Sequence, residues 1–215
     1  MAFLHGVEVI EIDAGPRPIQ TVKSSVIGIV GTAPDADPDA FPLNTPVLVA
    51  GSRKEAADLD TVGTALGTLP AAMDGIFDQI GAVVIVVRVE EGATEAESLA
   101  NVIGGVNAVD GNFEGVHALV GAESVVGFSP RILIAPGFTH QRPEGNANPV
   151  VAELQGIGDR LRAVIIADGP NTNDADAITA AGDFGSDRIY LIDPWHKVMV
   201  GSDIVSVPAS SRVAG

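Results

Sequence analysis

The sequence predicts an α/β protein: a mostly parallel sheet flanked by helices on both faces, with an extended β arm at its amino-terminal side. Three observations carry that prediction. From residue 81 onward, short β-branched runs alternate with amphipathic stretches of helical period, the pattern of strands joined by crossover helices. Residues 82–89 form an apolar run long enough for a strand buried on both faces. At the other end, residues 6–12 alternate, Val7 and Val9 against Glu8 and Glu11, but Gly15-Pro16-Arg17-Pro18 separates them from everything that follows.

Taken in order, the apolar residues 25–30 read as the first strand of the body. Residues 35–46 are a loop, because four prolines and asparagines among three aspartates leave no room for a regular element. A short strand follows at 46–49 and a short helix at 53–59. Residues 70–80 read as a helix, with Thr68 placed to cap it, Pro70 in its first turn, and Met73, Ile76, Phe77 and Ile80 at helical spacing. After the strand at 82–89, Thr94 caps a helix carrying Leu99, Val102 and Ile103, which Gly104-Gly105 ends. Residues 107–112 are a polar turn, and a helix is expected over 113–124 through Val116, Leu119 and Val120. A strand at 131–135 leads to a flexible loop at 137–148. Asn148-Pro149 then opens a helix with Val150, Leu154, Ile157 and Leu161 on one face. A strand at 163–167 precedes a helix capped by Asn173, with Ala177, Ala181 and Phe184 facing inward and Gly185 as its stop. Residues 188–192 are the last core strand, and 197–200 with 204–207 read as a β-ribbon. Beyond Pro208 the small residues predict no capped helix, and the reading expects a cut through a longer protein.

Composition narrows the function. In 215 residues, 46% are hydrophobic and 19% charged, the profile of a packed globular protein, and 4% aromatics leave the core to Val, Ile, Leu and Ala. A net charge of -16 spread along the chain repels phosphate backbones, which argues against direct nucleic-acid binding. The absence of cysteine removes disulfides, thiolate metal sites and cysteine nucleophiles together. No apolar run is long enough to span a bilayer, and the opening residues lack a basic segment followed by a long apolar one, so membrane insertion and a secretory signal are not expected. Cytoplasmic synthesis is the default.

The strand ends, where such a fold binds ligands, carry no recognisable chemistry. No G-x-G-x-x-G follows a strand, and Gly156-x-Gly158 falls inside a predicted helix. Glu90 and Glu91 suit neither a phosphate cradle nor a shared acid–base site. His5, His117, His140 and His196 show no metal-binding spacing, and Asp35-x-Asp37-x-Asp39 lacks the glycine and glutamate that a calcium loop needs. Ser124, Ser129 and Ser186 lack a nucleophile elbow. The loop with His140 and Arg142 is long enough to bind a partner, and Trp195 is expected to pack over the sheet edge. No catalytic, cofactor or metal residue is assigned. On the residues alone, 6–12 could be an ordinary edge strand of their own sheet, and a flavodoxin-like small-ligand or enzymatic domain remains the alternative reading.

The ordered set of segments resembles the contractile tail sheath proteins of myophages and R-type pyocins. It runs from "HGVEVIEIDAGPRPIQTVKSSVIGIVGTAP" and "FPLNTPVLVAGSRKEAADL" through "AVVIVVRVEEG", "GVHALVGAESVVGFSPRILIAPGF" and "LRAVIIADGPNTNDADA" to "FGSDRIYLIDPWHKV" and "PASSRVAG". The resemblance implies a structural subunit and no enzyme. It would polymerise in stacked rings around a tail tube and contract to drive the tube through a target envelope, with sheath copies, tube and baseplate as partners and a virion tail or pyocin particle as its place. It implies no cofactor. It also implies that Val7, Glu8, Val9, Ile10, Glu11 and Ile12 are a strand donated to a neighbouring subunit, with Gly15, Pro16 and Pro18 as the hinge of that arm. The expected organisation is an arm over 1–22, a β/α segment over 23–80, a sheath core over 81–200, and the start of a further region, otherwise missing, over 201–215.

Overall fold

The computed structural model describes residues 25–200 and 202–215. In chain order the elements begin with strands β1 (Ile27–Thr32) and β2 (Pro46–Ala50), helix α1 (Arg53–Ala56) continued by a 3₁₀ turn (Ala57–Leu59), helix α2 (Leu69–Phe77), strand β3 (Val83–Val89) and helix α3 (Glu95–Ile103). Next come the two-residue strands β4 (Gly105–Val106) and β5 (Phe113–Glu114), a 3₁₀ segment (Gly115–Gly121) running into helix α4 (Ala122–Val126), strand β6 (Ile132–Ile134) and helix α5 (Pro149–Leu161). Strand β7 (Val164–Asp168), helix α6 (Asp174–Gly182), strands β8 (Ile189–Ile192), β9 (His196–Val200) and β10 (Asp203–Val207), and helix α7 (Ser210–Ala214) follow.

Six strands form one sheet in the order β2-β3-β1-β6-β7-β8, with β2 antiparallel to β3 and every other pair parallel. The predicted mostly parallel α/β sheet is therefore present. Alternation along each strand feeds two cores. Ile85, Val87, Leu133 and Ile165 face Val102 of α3, Leu119, and Val150, Leu154 and Ile157 of α5. Ile27, Ile29, Val84, Val86 and Ile134 face Leu69, Met73 and Ile76 of α2, with Phe41 and Leu59. Each fully buried aliphatic side chain contributes roughly 1.5–3 kcal/mol, so two filled faces hold the sheet with little aromatic mass beyond Phe41 and Phe138.

The caps predicted at Thr94 and Asn173 are made, and the Asn148 that opens α5 caps it as well. Thr94 Oγ1 accepts from Glu97 N at 3.2 Å, Asn148 Oδ1 from Val151 N at 3.0 Å, and Asn173 Oδ1 from Asp176 N at 3.0 Å. Thr68 is a correction. It makes no side-chain cap on α2; its Oγ1 instead accepts from Thr32 N at 3.1 Å, and its own N–H donates to Thr32 O at 2.9 Å. A tertiary partner outcompetes the local one, and Gly67 makes room for it: at φ +84°, its Cβ would lie 2.4 Å from the Thr32 carbonyl oxygen. Helix α2 also stops at Phe77, leaving Ile80 exposed.

The helix expected over 113–124 is instead β5, a 3₁₀ segment and the short α4. Gly115 takes φ +58°, which breaks a helix at its start. The buried Val116, Leu119 and Ala122 recur every three residues, the 3₁₀ period. In α6 the buried residue is Ala180; Ala177 and Phe184 are half-buried and Ala181 is exposed, so the inward face is turned from the expected one. The ribbon β9–β10 is present and antiparallel. The tail is the largest correction: where no capped helix was expected, α7 packs on α2 and over the ends of β6 and β7.

Candidate assembly surface

The predicted interface strand, Val7 to Ile12, and its hinge at Gly15, Pro16 and Pro18 lie outside the described residues. The candidate surface that the structure does describe is built at the carboxyl end of the sheet.

Asp168 ends β7 and is fully buried. Its Oδ1 accepts from Ser210 N at 2.7 Å and its Oδ2 from Ser210 Oγ at 2.7 Å, while Thr139 Oγ1 sits 3.4 Å from Oδ2 and accepts from Asp168 N at 2.9 Å. Ala209, at the start of α7, supplies no side-chain cap. Asp168 caps that helix from 42 residues away. Burial pushes the Asp168 carboxyl above the usual carboxylate range; the Ser210 hydrogen bonds pull the other way and lose. The far side of α7 lies on α2 at Gly75, whose Cβ would meet Ser211 Oγ at 2.7 Å, and Arg212 Nη1 reaches Asp78 Oδ2 at 2.9 Å. Asp78 also accepts from Arg53 Nη2, and Arg53 Nε reaches Asp74 Oδ1 at 3.1 Å. Arg212 first, then Arg53, hold the Asp78 carboxyl below its ordinary value against partial burial.

These groups line a groove of about 690 Å³ between α2, Pro136-Gly137, α7 and the ribbon at Val198, Met199, Val200 and Val207. Both guanidinium groups in it are already bonded to carboxylates, so the groove's charges join elements of the chain to one another. The ribbon rises from two fixed feet. Trp195 Nε1 donates to Gly169 O at 2.9 Å, and Ser210 is held by Asp168. One face of the ribbon presents Met199 opposite Ile204, 73% and 69% exposed.

The remaining candidates separate. Glu90 and Glu91 are both exposed after β3. His117 Nε2 lies 3.0 Å from Glu153 Oε1 and its ring stacks on Phe113. His140 packs edge-on to Trp195, its ring centroid 4.9 Å away; burial lowers its pKa while the Asp168 and Glu95 charges oppose that. Asp37 caps the Asp39 N–H and Asp35 takes the Thr64 hydroxyl, so the aspartate triplet ties turns. Among the described residues no group of three or more His, Asp or Glu side chains could hold a metal ion, and no helix is long and apolar enough to cross a membrane. The loop at 137–148 is tied down along its length: Asn148 Nδ2 donates to Phe138 O and Gln141 O, both at 2.9 Å, and Arg142 forks onto Asp183 at 2.7 and 2.9 Å. The asparagine before Pro149 was the signal for that order, since a buried amide that caps a helix has two donors left to spend.

Residues 24–89 match the family model described as the tail sheath protein Gp18 domain III N-terminal region. A Pseudomonas aeruginosa (strain UCBPP-PA14) protein named as a prophage major tail sheath protein is 36% identical over 218 residues, covering 100% of this chain and 53% of that protein. The tail sheath protein of Escherichia phage P2 is 37% identical over 167 residues, 75% of this chain and 39% of its own. The chain thus spans about half the length, or less, of these relatives. Among solved structures, the cryo-EM structure of the anti-feeding prophage helical sheath in its contracted state shares the fold, with a TM-score of 0.50 at 15% identity over 98% of this chain and 51% of that one.

Proposed function

This chain is a relative of the contractile tail sheath proteins along its whole length, and on that premise we propose that it is a structural subunit of a phage or pyocin tail sheath. It polymerises with further copies around a tail tube and contracts to drive the tube through the target envelope, with the tube protein and baseplate as its other partners. Its place is the tail of the particle. The observation that carries this reading is the 36% identity, without a break in coverage of this chain, to a prophage tail sheath protein. A physical observation supports it over a small-ligand domain of the same shape. The carboxyl end of β7, a place where an open α/β sheet receives ligands, is occupied by the chain's own α7, and the carboxylate there is used to hold it.

We assign residues 1–22 to an arm whose strand, Val7 to Ile12, pairs with a sheet in a neighbouring subunit, swinging on Gly15, Pro16 and Pro18. The alternation of Val7 and Val9 with Glu8 and Glu11 suits a strand that gives its backbone to an exposed edge and alternate side chains to pockets. We take residues 23–80 as a β/α lead and 81–200 as a core that share one sheet, with 201–215 returning onto both through α7.

Immunogold electron microscopy of tail particles from the source strain, with antibody raised against this chain, tests the function. Label should run along the outer cylinder of both long and shortened tails. Particles with intact sheaths and no label refute it. Removing residues 1–15 from the sheath protein should abolish cylinders while circular dichroism of the subunit stays unchanged.

A further inference from the structure

We infer that a cluster of four arginines at the amino end of the sheet is a contact surface for the β3–α3 loop of a second copy of this chain. The arginines converge on the start of β7. Arg131 and Arg188 flank it, their carbonyls accepting from Val164 N and Ile165 N, both at 2.8 Å. Arg160 and Arg162 arrive there at the end of α5. The acids next to them in the chain are Asp159, which reaches Arg188 Nε at 3.1 Å, and the exposed Asp187. Arg131 spends its guanidinium on the neutral Leu161 carbonyl, so its charge stays uncancelled. Arg160 and Arg162 are exposed, and among the described residues neither makes an ion pair.

Arg162 also holds its place at a cost. It takes φ +52°, the left-handed conformation that closes α5 and that glycine or asparagine adopts more easily. The last turn of α5 already has Arg160 to complement its dipole. Helix capping therefore does not account for a second cation in the least favourable backbone position.

The chain carries the complement at its other end. Strands β3, β1, β6, β7 and β8 run parallel, so the loop that follows β3 lies at the end opposite the arginines. That loop and the first turn of α3 present Glu90, Glu91, Glu95 and Glu97, all exposed, and no lysine or arginine occurs from residue 89 to residue 130. Among the described residues none of the four makes an ion pair. Glu95 and Glu97 accept from neutral donors, Gln141 Nε2 and Ala93 N.

The confinement of each charge to one patch selects the occupant. At physiological salt a surface charge is felt over about 8 Å, so the facing patches decide a contact and the net charge of -16 does not. A nucleic-acid strand or an anionic bilayer is charged throughout, and it meets the acidic remainder of the surface as soon as it meets the arginines. A second copy brings one local group of four carboxylates to one local group of four guanidinium groups. A contact between unlike ends is heterologous, and it repeats into open arrays instead of closing into a dimer. The inference rests on the sheath reading and names which two surfaces successive copies join.

Charge exchange tests it in tail particles of the source strain, with intact sheaths counted by electron microscopy. Arg160→Glu with Arg162→Glu should lower their yield roughly tenfold, since like charges facing each other oppose association. Glu90→Arg with Glu91→Arg should do the same. The chain with all four changes has both patches reversed, and its sheaths should return to within about threefold of the wild-type yield. Circular dichroism checks the fold of each purified variant. Should a reversed pair not fold, Arg160→Gln with Arg162→Gln takes its place; joined to Glu90→Gln with Glu91→Gln, it should lose no more than either pair alone, because both remove one shared contact. Full yield from folded arginine variants overturns the contact and leaves the sheath reading standing. A loss that the fourfold exchange does not restore gives the arginines another occupant, such as the part of the longer relatives that this chain does not span, and overturns the choice of a second copy. Wild-type particles that lack this chain overturn the sheath reading, and the contact with it.

Discussion

Replacing Asp168 separates two roles that a buried carboxylate can play: hydrogen-bond acceptor and charge. Asp168→Ala removes the acceptor of the Ser210 amide and of the Ser210 hydroxyl, both buried. At about 1–3 kcal/mol for each group left unsatisfied, the loss is roughly 2–6 kcal/mol. Asp168→Asn should do something different. Its Oδ1 can still take the Ser210 N–H, and its Nδ2 can donate to the hydroxyl oxygens of Ser210 and Thr139, so every partner is kept. What disappears is a charge that burial disfavours. Because burial raises the folded-state pKa above the unfolded value of about 3.9, the native chain keeps a proton that the unfolded chain releases. Asp168 therefore contributes most to stability below that unfolded value, and its contribution declines as pH rises towards the folded one. The wild type and the Asn variant should be equally stable in acid, and the Asn variant should pull ahead as pH rises through this window. Urea titrations followed by the single tryptophan, Trp195, whose indole donates to Gly169 beside the latch, read this directly. If Asn is as damaging as Ala, or if the wild type gains on Asn with rising pH, the charge itself holds α7 and the argument from acceptors is wrong.

Three further outcomes follow from contacts elsewhere. Asn148→Ala removes the cap on α5 and two bonds that hold the loop at 137–148; it should cost about 2–4 kcal/mol and speed cleavage within that loop by the non-specific proteinase K. Gly75→Val drives a side chain into Ser211; strain of roughly 1–3 kcal/mol should appear as faster amide exchange in α7 while α5 keeps its protection. The Arg142–Asp183 pair, bonded twice side by side, should show a favourable coupling in a double-mutant cycle. Arg142 depresses the Asp183 pKa, so that coupling is present above the ordinary carboxylate range and is lost as pH falls through the depressed value.

What could be read from the sequence depended on the range of the interactions involved. The strands and the caps at Thr94, Asn148 and Asn173 rest on neighbours within three or four positions, and so does the turn of the ribbon between Val200 and Asp203. Thr68 carries the same local signal, yet Thr32, 36 residues away, takes its hydroxyl. Helix α7 had no local signal. Ser-Ser-Arg-Val-Ala holds weak helix formers, and what fixes it comes from Asp168, Gly75 and Asp78, none within 40 residues. The 3₁₀ segment was misread because Val116 and Leu119 fit both a period of three and one of 3.6 until Gly115 takes its positive φ. Side-chain exposure on the ribbon was least legible of all. The ribbon's strands could be found, but exposure of Met199 and Ile204 is a tertiary fact, and the resemblance to sheath proteins pointed to the arm instead.

The carboxyl end of the sheet shows how an architecture suited to ligands can serve mechanical attachment. In an open α/β sheet the loops at that end are free to diverge because the strands beneath them are held by two cores. Here they are spent on one another. Asp168, itself bonded to Thr139, grips the start of α7, Asp78 bridges Arg212 and Arg53, and Trp195 bonds to the turn after β7. Each of these links joins the segment after β8 to the body, and none joins it through apolar contact alone. Hydrogen bonds and ion pairs have short, directional reach, so they fix the angle at which the ribbon leaves the body where a purely hydrophobic seam would let it slide. On the proposed sheath reading, a subunit that passes force to its neighbours needs that fixed angle more than it needs a vacant crevice. The prediction for Asp168→Ala then extends beyond stability: its damage should appear first as altered exchange in β9, β10 and α7, with β1 and β3 still protected.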